Sequence, residues 1–297
     1  MRLHWKFLPP QVRALVESHL GGEVVDALSQ DSGFTPGFAS VLTSASGERL
    51  FVKAASKVAQ ADFAASYAEE ARKLQILDGL VPAPRLQWVH DDDGWVVLGF
   101  EAVEGRAPRR PWRPDELERA LDLAEAIAEA THEVPESLGL MPVVEDLPEL
   151  VTGWDVVPED WPHHAEASAL ARAVAELPDR HFAHCDLRDD NILLATDGRT
   201  LACDWNWPVL GPRWLDLVNL LVFAHGDGLD AEPLLAGRAL TRDVDAEQID
   251  SWLAAFCGFM LARRTRPAPA TSPHLRTITD WQAEAAWSWL AQRRGWT

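Results

Sequence analysis

The chain is poor in the residues that mark several common classes of site. It has three cysteines in 297 residues, Cys185, Cys203 and Cys257. Their number is odd and no CxxC spacing occurs, so neither a disulfide framework nor a zinc ribbon is indicated. None of its four lysines follows a glycine, which excludes a Walker A phosphate loop. HExxH and GxSxG are absent too, removing the zincin and α/β-hydrolase signatures. Positive charge is scarce: 27 Lys and Arg face 46 Asp and Glu, for a net charge of −19. Such a surface repels phosphate backbones and anionic lipid, so neither nucleic acid nor a membrane is an expected partner. The most apolar stretch, 214–224, carries Asp216 and Asn219 and is too short to span a bilayer. The residues before Pro9-Pro10 are too few for a signal-peptide apolar region. The expectation is a soluble, cytoplasmic protein.

Two further scarcities direct attention. Lysine occurs only as Lys6, Lys53, Lys57 and Lys73, beside 23 arginines. Asparagine occurs only as Asn191, Asn206 and Asn219, all within 29 residues. A chain so sparing with Lys and Asn would place them where Arg and Asp do not substitute. The remaining composition, 47% apolar and 25% charged, is that of an ordinary globular chain long enough for two lobes.

Periodicity gives the order of elements. Residues 9–20 read as a helix, with Val12, Leu15, Val16 and Leu20 at helical spacing and Gly21-Gly22 as the stop. Strand-like runs follow at 23–28, 38–43 and 49–54, then a long helix at 58–78 and strands at 85–90 and 94–101. Glu104 to Pro108 breaks this pattern. Beyond it, helices are expected at 114–132, 166–177, 212–224, 246–265 and 277–293, with short strands near 182–184, 191–195 and 200–203. The segment 133–163, rich in Pro and acids, reads as an irregular insertion or lid. A hairpin-rich antiparallel sheet followed by a helical region is an α+β architecture.

The chemistry concentrates in 182–219, where His184, Asp186, Asn191 and Asp204 sit among apolar residues on loops between short strands. Asn191 and Asp204 are hard oxygen donors suited to Mg²⁺, which takes few protein ligands and leaves positions for phosphate oxygens. Asp186, if not a ligand, can orient a hydroxyl nucleophile and accept its proton. Phosphoryl transfer needs this combination of positioning and charge neutralisation.

His184-Cys185-Asp186-Leu187-Arg188-Asp189-Asp190-Asn191, followed by Asp204-Trp205, Gly211-Pro212 and Asp216, resembles the aminoglycoside phosphotransferase family of protein-kinase-like enzymes. The resemblance implies a bilobal kinase-like fold: an antiparallel-sheet N-terminal lobe over 1–101, a hinge at 102–108 and a mainly helical C-terminal lobe over 109–297. It implies direct transfer from ATP or GTP, with Mg²⁺ on Asn191 and Asp204, to a hydroxyl of a small molecule, with Asp186 as the base. Lys53 would hold the α- and β-phosphates. Glu70 lies on the apolar face of its helix with Phe63, Tyr67, Leu74 and Leu77, where an acid calls for a buried cation, so it is the expected partner of Lys53. The phosphate-covering loop would run from Gly33 to Gly37, and the adenine would meet backbone near Phe100 and Ala102. His184 would tie the loop together and Asp216 would brace it.

Two features depart from the pattern. Arg188-Asp189-Asp190 is an unusually charged filling, and Asn206 stands where protein kinases have Gly. An aminoglycoside, a nucleoside-type antibiotic, choline and homoserine all remain open as acceptors. So does a nucleotide-binding protein that keeps the fold without turnover.

Overall fold

The computed structural model describes residues 3–30, 37–131, 135–178, 180–264 and 275–296. The chain runs α1 (Pro10–Leu20), β1 (Val24–Ser29), β2 (Phe38–Ser44), β3 (Arg49–Ser56), α2 (Ala61–Ile76), β4 (Leu86–Asp91), β5 (Trp95–Glu101) and β6 (Gly105–Arg106). Then come α3 (Pro114–Ala130), α4 (Val143–Asp146), α5 (Glu149–Thr152), α6 (His164–Ala173) and β7 (His181–Ala183). It ends with β8 (Ile192–Ala195), β9 (Thr200–Ala202), β10 (Val209–Gly211), α7 (Leu215–Gly226), α8 (Ala231–Gly237), α9 (Ala246–Arg264) and α10 (Leu275–Arg294). Two units result: Met1–Ala107 with Asp190–Asn206, and Pro108–Asp189 with Trp207–Thr297.

The first unit is built on an antiparallel sheet of order β1-β2-β3-β5-β4. α1 starts with Pro10 in its first turn and stops at Gly21, whose φ of 78° suits a residue without Cβ. Its buried stripe, Val12, Val16 and Leu20, packs with Phe38, Leu42, Leu50, Val52 and Val97 of the sheet. Residues 190–206 join this unit through backbone pairing: β6 pairs with β8, β8 pairs with β9, and the Ala202 N–H donates to Pro82 O at 2.8 Å.

The second unit is mainly helical. α3 begins with Pro114 and carries Asp115 and Glu116 in its first turn, where acids favour a helix N-terminus. α7 and α9 are apolar on nearly every face and therefore buried, α9 packing against α6 and α10. β7 pairs with β10 in a two-stranded ladder.

The segment expected as an insertion or lid is, over its described residues 135–163, a set of short helical turns belonging to the core of this unit. Leu138, Val143, Leu150 and Trp154 are buried there, and the Trp154 indole N–H donates to Ala254 O of α9 at 2.8 Å. Gly153 and Gly258 make this close approach possible, since a Cβ at Gly258 would lie 2.5 Å from the Trp154 ring. The sequence reading did not include β6, β10, α4, α5 or α8. Each is at most seven residues long, too short for periodicity to show.

Candidate active site

Lys53 sits on β3, the middle strand, between buried Val52 and Ala54, and its side chain turns toward α2. Its ammonium donates to both carboxylate oxygens of Glu70 at 2.8 Å and also pairs with Asp204. Sequence reasoning named this pair of Lys53 and Glu70, and the structure brings the two together. The Tyr67 and Phe100 rings lie 5.6 and 5.8 Å from the ammonium. Burial works against the Lys53 charge, but Asp204 and Glu70 outweigh it and hold the pKa above the ordinary lysine value. Burial, with the negative charge of Asp204, raises the Glu70 pKa against the pull of Lys53.

The 190–206 segment presents the two oxygen donors together. Ile192 stands opposite Ala202 in the β8–β9 hairpin, and the Cys203 N–H donates to Asn191 O at 2.8 Å. Asn191, buried, and Asp204, with 39% of its side chain exposed, therefore leave the same end of the hairpin. Asp204 has φ 61°, a left-handed backbone that an L-residue adopts only when its surroundings hold it there. Trp205 anchors the turn: it is buried, and its indole N–H donates to Ala202 O at 2.7 Å. Among the described residues no three His, Cys, Asp or Glu side chains gather as a metal group. One carboxylate and one amide oxygen are still a fitting donor set for a hard cation that keeps phosphate and water as its other ligands.

A cavity of about 280 Å³ opens in this unit, lined by Phe51, Lys53, Phe100, Val103, Ile192 and Asp204 among others. Apolar side chains beside the charged groups Lys53, Glu70 and Asp204 suit a ligand that carries both a flat ring and anionic charge. Of the other residues expected to contact nucleotide, Phe100 lines the cavity, whereas Gly37 and Ala102 do not. Gly37 instead lies under Tyr67, whose hydroxyl would be 2.8 Å from a Cβ at that position. Gly33 lies outside the described residues.

In the second unit Asp216, in the first turn of α7, accepts the His184 N–H at 2.7 Å and the Cys185 N–H at 2.8 Å. Cys185 is thereby held at φ 68°. The Asp186 N–H donates to His184 Nδ1 at 3.3 Å, which makes buried His184 an internal tie of the loop. The Asp186 carboxylate keeps 37% of its side chain exposed and lies 3.2 Å from Arg188 Nε. Arg110 donates to Asp189 at 2.9 Å and grips Asp227 through two hydrogen bonds, which ties Asp189 of the charged filling to a cation outside it. Burial pushes the Asp216 carboxyl up, against the opposing influence of His184 and the two backbone donors. Burial also raises the Cys185 thiol, and it pushes Cys203 up to about 12.

Of the three tryptophans near these loops, Trp205 and Trp214 are buried in packing, while Trp207 is 58% exposed. Sequence reasoning did not reach Arg110, or the roles of Ser66, Lys73 and the Asn206 side chain. For Lys73 and Asn206 the scarcity of their residue types was the available signal.

A profile of the phosphotransferase enzyme family matches residues 37–267. The chain belongs to this family. It is thus a small-molecule phosphotransferase, as its motifs indicated. Among curated proteins none matches the chain. Solved structures share the fold across nearly the whole phosphotransferase. An aminoglycoside phosphotransferase from Alicyclobacillus acidocaldarius is 18% identical with a TM-score of 0.57, over 97% of this chain and 96% of that one. The choline kinase LicA from Streptococcus pneumoniae is 14% identical with a TM-score of 0.60, over 95% and 98%. A thermostable aminoglycoside phosphotransferase mutant in ternary complex with ADP and hygromycin B is 13% identical with a TM-score of 0.62, over 97% and 100%. The α+β, protein-kinase-like fold read from the sequence is the fold of this phosphotransferase.

Proposed function

We propose that this phosphotransferase moves the γ-phosphoryl group of ATP or GTP directly to a hydroxyl of an amine-bearing small molecule, of the aminoglycoside or nucleoside-antibiotic type, in the cytoplasm. The observation that carries the reading is the arrangement of Lys53, Glu70 and Asp204 in the wall of one cavity. Lys53, locked by Glu70, binds the α- and β-phosphates; Phe51, Phe100 and Ile192 enclose the base; residues 103–107 border it. Asn191 and Asp204 hold Mg²⁺, which when bound neutralises phosphate charge. Asp186 orients the acceptor hydroxyl and takes its proton as that oxygen bonds to phosphorus and the bond to the β-phosphate oxygen breaks. Asp216 and His184 keep Asp186 in place. Bound ADP and hygromycin B in one structural neighbour support the nucleotide and acceptor classes by analogy of fold alone.

An amine is favoured by the Asp186 carboxylate, which keeps 37% of its side chain exposed at this loop. Choline satisfies the same charge rule, and the likeness to a choline kinase brings it and homoserine into the test. Three free thiols agree with a reducing compartment. No helix among the described residues is long and apolar enough to cross a membrane.

The test is ADP or GDP release with Mg²⁺ over aminoglycosides, nucleoside antibiotics, choline, homoserine and sugars, with product mass as the second readout. A phosphoryl mass gain on one compound, lost in Asp186→Ala while nucleotide still binds, is the expected result. Nucleotide binding with no product from any acceptor class would favour a kinase-like binding protein. Wild-type turnover by Asp186→Ala would remove Asp186 as the base.

A further inference from the structure

We infer that Ser66, Lys73 and Asn206 are positioning residues, through which α2 grips the 204–206 turn and sets the backbone of Asp204. The inference rests on the reading of Asp204 as a metal ligand.

Ser66, Glu70 and Lys73 are spaced four and three residues apart and so share one flank of α2. Each meets the turn. Ser66 Oγ accepts from Asn206 Nδ2 at 2.6 Å. The Glu70 carboxylate accepts the Trp205 N–H and pairs with Lys53, which itself pairs with Asp204. Lys73 Nζ donates to Asn206 O at 2.9 Å, with Glu69 at 3.2 Å as its counter-charge. Lys73 is only 7% exposed, and an ammonium is buried at a cost unless it is hydrogen-bonded and paired. Its burial here goes to holding one backbone carbonyl.

That carbonyl lies two residues after Asp204, whose left-handed φ needs neighbours that over-determine it. Gly at 206 would offer no side chain for Ser66 to hold. Asn supplies one, which gives a physical reason for the departure at this position. Lys73 does not line the cavity, so its effect on nucleotide would pass through Asp204.

The experiment titrates MgCl₂ into the full-length protein holding methylanthraniloyl-ATP and reads the fluorescence midpoint, beside binding of the same probe in EDTA. Lys73→Met and Asn206→Ala should each raise the Mg²⁺ midpoint by about tenfold or more, the usual effect of losing a group that orients a metal ligand. Probe binding in EDTA should stay within about twofold for Lys73→Met, because the cavity lining is intact. Lys73→Arg, which still donates to the Asn206 carbonyl, should restore most of the midpoint. If Lys73→Met is poorly folded by thermal melt, Asn206→Ala and Asn206→Gly carry the test. An unchanged midpoint in these variants, with Asp204→Ala strongly shifted, overturns the inference alone. An unchanged midpoint in Asp204→Ala overturns the ligand reading and the inference with it.

Discussion

Asp216 accepts the Cys185 N–H at 2.8 Å, and Cys185 holds a φ of 68° directly before Asp186. One carboxylate on α7 thus supports a backbone conformation that an L-residue adopts rarely. Replacing Asp216 with Ala leaves the His184 and Cys185 N–H groups without this acceptor inside the fold. At about 1–3 kcal/mol for each stranded donor, a loss of about 2–6 kcal/mol is expected in urea unfolding. Turnover should fall further than nucleotide binding, because the loop displaced is the one carrying Asp186.

The Lys53 ion pair makes an asymmetric prediction. Lys53→Met strands a buried carboxylate and should cost about 3–5 kcal/mol, whereas Glu70→Gln keeps a hydrogen-bond acceptor and should cost less. Lys53 holds its proton more tightly when folded, so its contribution is full below the unfolded pKa of about 10.4 and is lost only as pH rises through the folded value. Stability measured between about pH 6 and 9 should show no titration from Lys53. A Lys53-dependent transition inside that window would contradict the pairing.

The thiols near the loops should be inert. With Cys203 pushed up to about 12 by burial, its thiolate population at pH 8 is about a thousandfold below that of a free cysteine. Iodoacetamide labelling read by peptide mass should be slow at Cys203 and Cys185 in the folded protein and fast in urea. Both residues are half-buried, so rapid labelling of either at neutral pH would mean that the surroundings do not hold the thiol protonated.

Trp154 tests whether 135–163 belongs to the core. Trp154→Ala should lower stability by about 3–5 kcal/mol, seen as a lower denaturant midpoint. A mobile flap in the same place would tolerate the change with little effect on unfolding.

The sheet, the long helices and the 184–216 constellation were legible in the sequence because each repeats a spacing or clusters chemically scarce residues. Glu70 was distinguishable from Glu69 because one acid interrupts an apolar face. The return of 190–206 to the first unit was not legible. It rests on backbone pairing between β6 and β8, and Gly105-Arg106 has no side-chain pattern that announces a strand. The acidic composition of 133–163 concealed Leu138, Leu150 and Trp154, which pack singly rather than at a helical period. Lys73 stood out only by the scarcity of lysine, since it shares the polar flank of its helix with Asp62, Ser66 and Glu69. Its partner is a main-chain carbonyl 133 residues away.

Two of the four lysines, Lys53 and Lys73, keep only 9% of their side chains in contact with water, whereas Lys57 keeps 38% and Lys6 is exposed. An amine-reactive dye therefore reports on the fold itself. Folded protein takes up label at its outer amines, and added stoichiometry appears only when the inner pair is released. Attachment to a surface through amines would leave the cavity and the grip of α2 untouched.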